Sequence, residues 1–97
     1  MPKFLVNVSY TAEGVIGVRK DGGTKRREVA TRAVEGLGGK VEAFYFSFGL
    51  HDAVLIVDLP DNAAAAALSL AVAATGSVRL VTTPLMLPPA WPSAAAG

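Results

Sequence analysis

The chain has one histidine, and it stands beside an aspartate: His51-Asp52, inside FYFSFGLHDAVLIVDLPD at residues 44–61. Imidazole changes charge near neutral pH, so His51 is the candidate catalytic residue, as a general base or a metal ligand. A metal site wants three or four protein ligands. No such cluster surrounds His51 in the sequence, and there are no cysteines, so no metal and no cofactor are expected. Adjacent side chains on extended backbone point to opposite sides, which leaves Asp52 badly placed to orient His51. The plainer reading, and the favoured one, is a hairpin. In it Gly49 supplies unusual backbone angles and Asp52 bonds the turn's amides.

Two other groups could do chemistry. Lys25, Arg26 and Arg27 follow Gly22-Gly23-Thr24. At the start of a helix, free amides and these cations would form an anion site. If the helix instead runs kinked but unbroken across the glycine pair, they are mid-helix residues, and this is the favoured reading. Asn7, Ser9, Tyr45, Ser47 and Thr82 are polar positions on segments that otherwise read as buried strands. Buried polar groups must be paired, so they either line a small-molecule pocket or bond across a subunit interface. Asn7, Ser9, Arg26, Tyr45, His51 and Asp52 are therefore the candidate ligand-binding residues. There is no HExxH and no plausible carboxylate pair.

The elements that must position these groups alternate. Lys3–Tyr10 has strand periodicity. Thr11 caps a segment over Ala12–Lys20 that Gly14 and Gly17 weaken. Thr24–Leu37 is a helix with the stripe Val29, Ala30, Ala33, Val34 and Leu37, supported by Glu28→Arg32 and stopped by Gly38-Gly39. Lys40–Phe48 and Ala53–Leu59 are strands joined by Gly49–Asp52. Asp61 caps a helix over Ala63–Ala74, and Val78–Thr83 is the last strand. The order is β-α-β-β-α-β, a ferredoxin-like α+β plan: a four-stranded antiparallel sheet with its helices on one face. The domain is expected over 1–86, with a Pro/Ala-rich tail over 87–97.

Of the 97 residues 52% are hydrophobic and only 18% charged, apolar-rich for a small monomer. The longest apolar run, Ala63–Ala74, falls short of the roughly 20 residues a spanning helix needs. The start of the chain reads as a strand rather than a signal peptide. No membrane partner is expected, and the cytoplasm is the expected location. Seven of the nine Lys/Arg lie between Arg19 and Lys40, but Asp21, Glu28 and Glu35 interleave, which favours a solvated face over nucleic-acid binding.

Both sets of strand residues are apolar. Val41, Ala43 and Tyr45 oppose Glu42, Phe44, Phe46 and Phe48, and Val54 and Ile56 oppose Ala53, Leu55, Val57 and Leu59. A second subunit's sheet would cover the face the helices leave open, making a homo-oligomer built on a dimer. The helix Ala63–Ala74 is apolar nearly all round. Its outer side calls for the tail around Trp91 or another subunit.

KFLVNVSYTAEGVIGV, GGTKRREVATRAVEGLGGKVEAFYFSFG and DAVLIVDLPDNAAAAALSLAVAATGSVRLVTTPLM together resemble the GYD domain family of small bacterial proteins. The Gly-x-Tyr-Asp motif reads here as Gly49-Leu50-His51-Asp52, with histidine in the tyrosine place. The resemblance implies the dimeric α/β-barrel superfamily. That superfamily holds ligands between sheet and helices, and it includes cofactor-independent monooxygenases and isomerases. Two functions follow: a small-ligand-binding or scaffolding subunit, which the thin supply of acid–base residues favours, and a cofactor-independent enzyme on a small aromatic or polyketide-like substrate.

Overall fold

The structure, a computed structural model, describes residues 1–47 and 49–92. Its elements are β1 (Lys3–Tyr10), α1 (Ala12–Asp21), α2 (Gly23–Glu35), β2 (Lys40–Phe46), β3 (Ala53–Asp58), α3 (Asn62–Ala73) and β4 (Val78–Leu85), followed by a 3-10 turn at Pro88–Ala90. The strands form one antiparallel sheet in the order β2-β3-β1-β4, the ferredoxin-like arrangement.

Strand alternation sets the layers. Phe4, Val6 and Val8 of β1 stand opposite Val57, Leu55 and Ala53 of β3. These six are buried with Val34 of α2, Leu59, and Ala65 and Leu68 of α3, and together they are the core. Burying the valine, leucine and phenylalanine side chains among them yields about 1.5–3 kcal/mol each. The helices start and stop for local reasons. Thr11 accepts a hydrogen bond from the Gly14 amide at 3.2 Å, and Asp61 accepts one from Ala64 at 2.8 Å, which satisfies donors that helix geometry leaves free.

Three expectations need correction. First, the helical segment does not run through the glycine pair. Gly22 has φ +83°, a conformation that L side chains with a Cβ rarely adopt. It closes α1 with its amide on the Val18 carbonyl at 2.8 Å, and α2 begins afresh at Gly23. Lys25, Arg26 and Arg27 therefore lie in the opening turns of α2 rather than mid-helix. Second, β2 does not alternate cleanly. Val41 pairs with Val57 but Ala43 with Ile56, so Glu42 is an extra residue. Such a bulge flips the alternation: Val41 joins Phe44 and Phe46 on the helix side, away from Ala43 and Tyr45.

Third, β4 continues through Pro84 to Leu85. It is an edge strand, so one side of its backbone pairs with nothing and proline's missing N–H is tolerated. A Cβ at Gly49 would meet nothing within 4 Å. Phe48, expected on β2, lies outside the described residues, as does the tail beyond Pro92.

Among the described residues the outer side of α3 is exposed: Leu70 is 73% exposed and Trp91 of the tail 72%. On the open sheet face, Leu5 pairs with Ile56 and Thr83, and Asn7 with Val54 and Val81. At one end of that face Lys3 donates to Asp58 at 2.9 Å and sits 3.4 Å from Glu42.

Leu59, wholly shielded from solvent, offers a direct measure of the core. Leu59→Ala is expected to cost about 2–5 kcal/mol in denaturant unfolding at fixed protein concentration. Leu50→Ala, at the exposed hairpin tip, should stay within about 0.5 kcal/mol of the parent.

Candidate functional site

The helix layer does not close over the sheet. Between α2, α3 and the helix side of the sheet lies a cavity of about 360 Å³. Its walls are mostly small and branched apolar side chains, among them Val8, Ala33, Leu55, Leu68 and Leu80. Alanines at 30, 33 and 71 leave space that larger residues would fill. Four polar residues contribute to the lining: Tyr10, Arg26, Thr75 and Ser77.

Tyr10 is the last residue of β1 and faces the helices because it continues the row Phe4, Val6, Val8. Its backbone partner is Val78 of β4, which places Ser77 and Thr75 nearby along the chain. Burial raises the Tyr10 phenol above its ordinary pKa, and Asp52 adds to this, while the Arg26 charge pulls the other way. The phenol is therefore a neutral donor at physiological pH.

Arg26 reaches the cavity across α1. A Cβ at Gly17 would meet the Arg26 guanidinium, so a bare backbone on α1 makes room for it. Its Nη2 donates to Asp21 Oδ2 at 3.1 Å. Its Nε is buried and has no hydrogen-bond partner among the described residues.

The other sequence candidates lie elsewhere. Asn7, Ser9 and Tyr45 are on the opposite, open face of the sheet and do not line this cavity. Thr82 faces the helices but bonds Ser69 of α3 at 3.1 Å. His51 does meet a nucleophile-type side chain, with Nδ1 3.3 Å from Ser9 Oγ. A working Ser–His pair also needs a group that orients the imidazole. The Asp52 carboxylate is engaged away from the ring. It accepts from the Tyr10 amide at 2.8 Å, while the Asp52 amide donates to the Val8 carbonyl at 2.8 Å. Asp52 therefore ties the hairpin to β1 instead of bonding the turn's own amides, as the sequence suggests. Ser47 closes the hairpin, its hydroxyl donating to the His51 carbonyl at 2.6 Å. No group of three or more potential metal ligands comes together among the described residues.

Tyr10, Thr75 and Ser77 do not stand out as site residues in the sequence. The available signal is a phenol ending a strictly apolar alternation, a polar group on a face where polar groups must find partners. Of the candidates named, the structure puts Arg26 in the cavity and brings Ser9 and His51 together across the sheet.

The GYD domain family model matches residues 4–94, nearly the whole chain, and the chain belongs to that family. No curated protein and no solved structure matches it. No helix among the described residues is long and apolar enough to cross a membrane.

Two measurements follow. Asp52→Ala should cost about 1–2 kcal/mol in unfolding experiments, the worth of a charge-assisted bond to a backbone amide, whereas His51→Ala should cost under about 0.5 kcal/mol. The folded state holds the Tyr10 proton more tightly than the unfolded chain does. Stability from this source is complete below the ordinary tyrosine pKa of about 10 and falls as pH rises beyond it. Tyr10→Phe should flatten that decline in urea unfolding followed across alkaline pH.

Proposed function

We propose that this GYD-domain chain is a small-ligand-binding subunit of a homo-oligomer, holding a small organic molecule between its sheet and its helices. The observation that carries this reading is the cavity itself. Its volume lies within the range of small-ligand sites, about 300–1,000 Å³. Its composition, apolar walls with a few polar groups, is that of a site that orients a ligand and excludes water.

A cofactor-independent enzyme of the monooxygenase or isomerase type is the alternative. The lining favours binding over acid–base work. Among the described lining residues there is no carboxylate and no histidine, and Tyr10 is a phenol that burial keeps neutral. The one imidazole stands beyond the sheet, beside Ser9.

The assembly rests on the open sheet face. Leu5, Ala43, Tyr45, Val54, Ile56 and Val81 make an apolar band across all four strands. Tyr45 is 67% and Val81 54% exposed. Asn7 and Thr83 share these two rows of side chains, and the apolar residues around them form the kind of exposed cluster that marks an interaction site. A charged rim of Lys3, Glu42 and Asp58 borders it at one end, the usual anatomy of an interface. A second copy, presenting the same band, is the partner this face fits.

Native mass spectrometry of the purified protein tests both halves. The expected result is a dimer or a multiple of it, with a retained or added small molecule. A folded monomer at micromolar concentration would remove the assembly. Val81→Asp should shift light-scattering mass toward the monomer while leaving far-UV circular dichroism unchanged.

A further inference from the structure

We infer that the sheet–helix cavity takes an uncharged, mostly hydrocarbon molecule and turns away anions and cations alike. The inference rests on the ligand-binding reading above and narrows it to one chemical class.

The first ground is the state of charge at the cavity. Arg26 is the one charged residue of the described lining. Its Nε is sealed inside the protein, and its Nη2 donates to Asp21 Oδ2 at 3.1 Å. Its charge is therefore balanced within the chain. A ligand anion would have to displace Asp21 or enter unpaired. A cation fares no better, because the described lining holds no carboxylate. Asp52, whose charge acts on Tyr10, stands outside that lining and is bonded to the Tyr10 amide. Taking an unpaired charge out of water costs more than apolar contacts can offset.

The second ground is the remaining polar side chains. Thr75 Oγ1 donates to the Val72 carbonyl at 2.7 Å and accepts from the Ser77 amide at 3.3 Å. That leaves two hydroxyls of the lining, those of Tyr10 and Ser77. Both are neutral, and burial holds the Tyr10 proton in place. Such groups suit a carbonyl or ether oxygen. They offer no countercharge to an ion.

The third ground is volume. A cavity of about 150 Å³ lined by leucine, isoleucine and phenylalanine stays dry and takes up benzene. This cavity measures about 360 Å³ and is walled in the same manner, by Val6, Val8, Phe44, Leu55, Leu68 and Leu80. In proportion, it has room for a body of about two fused rings.

The test is calorimetric titration of the full chain at neutral pH with 2-acetylnaphthalene, 2-naphthoate and 2-naphthylmethylammonium. These probes share a two-ring body, and the ketone and the carboxylate are close in shape but differ in charge. The ketone should bind about tenfold or more tightly than either ion, since only the ions leave an unpaired charge in the cavity. Ala33→Leu and Ala71→Leu add bulk at residues of the lining. Each should weaken the ketone about tenfold or more, because close-packed interiors respond to small changes of volume.

A smaller preference for the ketone, or tighter binding of either ion, would overturn the inference while the cavity reading stands. Ketone affinity that keeps the parent's value in both leucine variants, with their circular dichroism unchanged, places the probe elsewhere and overturns the inference too. No binding of any probe, up to the solubility limit of the ketone, would defeat the cavity reading and this one with it. The parent comparison needs no variant, so poorly folding leucine variants leave the inference open to refutation.

Discussion

Everything on this molecule is referred to the register of β1. It is an interior strand, hydrogen-bonded to β3 on one side and β4 on the other, and a one-residue slip would exchange its two faces. In the register it holds, Phe4, Val6 and Val8 meet the helices while Leu5, Asn7 and Ser9 meet whatever lies beyond the sheet. The same alternation carries Tyr10 to the lining of the cavity and Ser9 to His51. The cavity and the imidazole are thus placed on opposite sides of one strand by its pleat. Asp52 reinforces this register from the hairpin, since it bonds the backbone at both Val8 and Tyr10.

The cavity is a consequence of how little the helices can supply. α2 and α3 face the sheet largely with alanine and valine, and α1 is broken from α2 at Gly22. Small residues let a helix approach closely but fill little volume. A layer built of them above Val8, Leu55 and Leu80 leaves a gap. Larger residues would have made a tighter core, at a density nearer that of an organic crystal. Forgoing that packing stabilisation for a lined space makes sense where the space is used.

Much of this is legible in the sequence. The element order, both helix caps and the hairpin follow from turn residues and apolar periodicity, which act locally. Tertiary pairing decides the rest. Glu42 looks like any alternating residue until β3 forces a bulge on it. Pro84 looks like a strand stop until β4 turns out to be an edge. Glycine at 22 is ambiguous between a kink and a break because a sequence does not display φ. The candidate site is legible only in part. Arg26 stands out as one of three cations near a helix start, but what distinguishes it from Lys25 and Arg27 is Gly17, nine residues earlier on another helix. Tyr10 is visible as a strand residue, and its place in the cavity lining is not.

His51 stands where the resemblance would place a tyrosine, and the hairpin's own hydrogen bonds show which of its atoms the fold uses. The residue at 51 gives its carbonyl to Ser47, and any residue has a carbonyl. Among the described residues its ring has one hydrogen-bond partner, the Ser9 hydroxyl. Asp52, by contrast, uses both its amide and its carboxylate to fasten the hairpin to β1, and no hydrophobic or amide side chain would supply that charge. The geometric demand of the motif therefore falls on its aspartate, and the aromatic position is free to change its chemistry without disturbing the sheet. If a reaction or a partner had selected the imidazole, it would be one that meets the open face, not the cavity, and on that face the imidazole would stand at the edge of the band expected to meet a second copy.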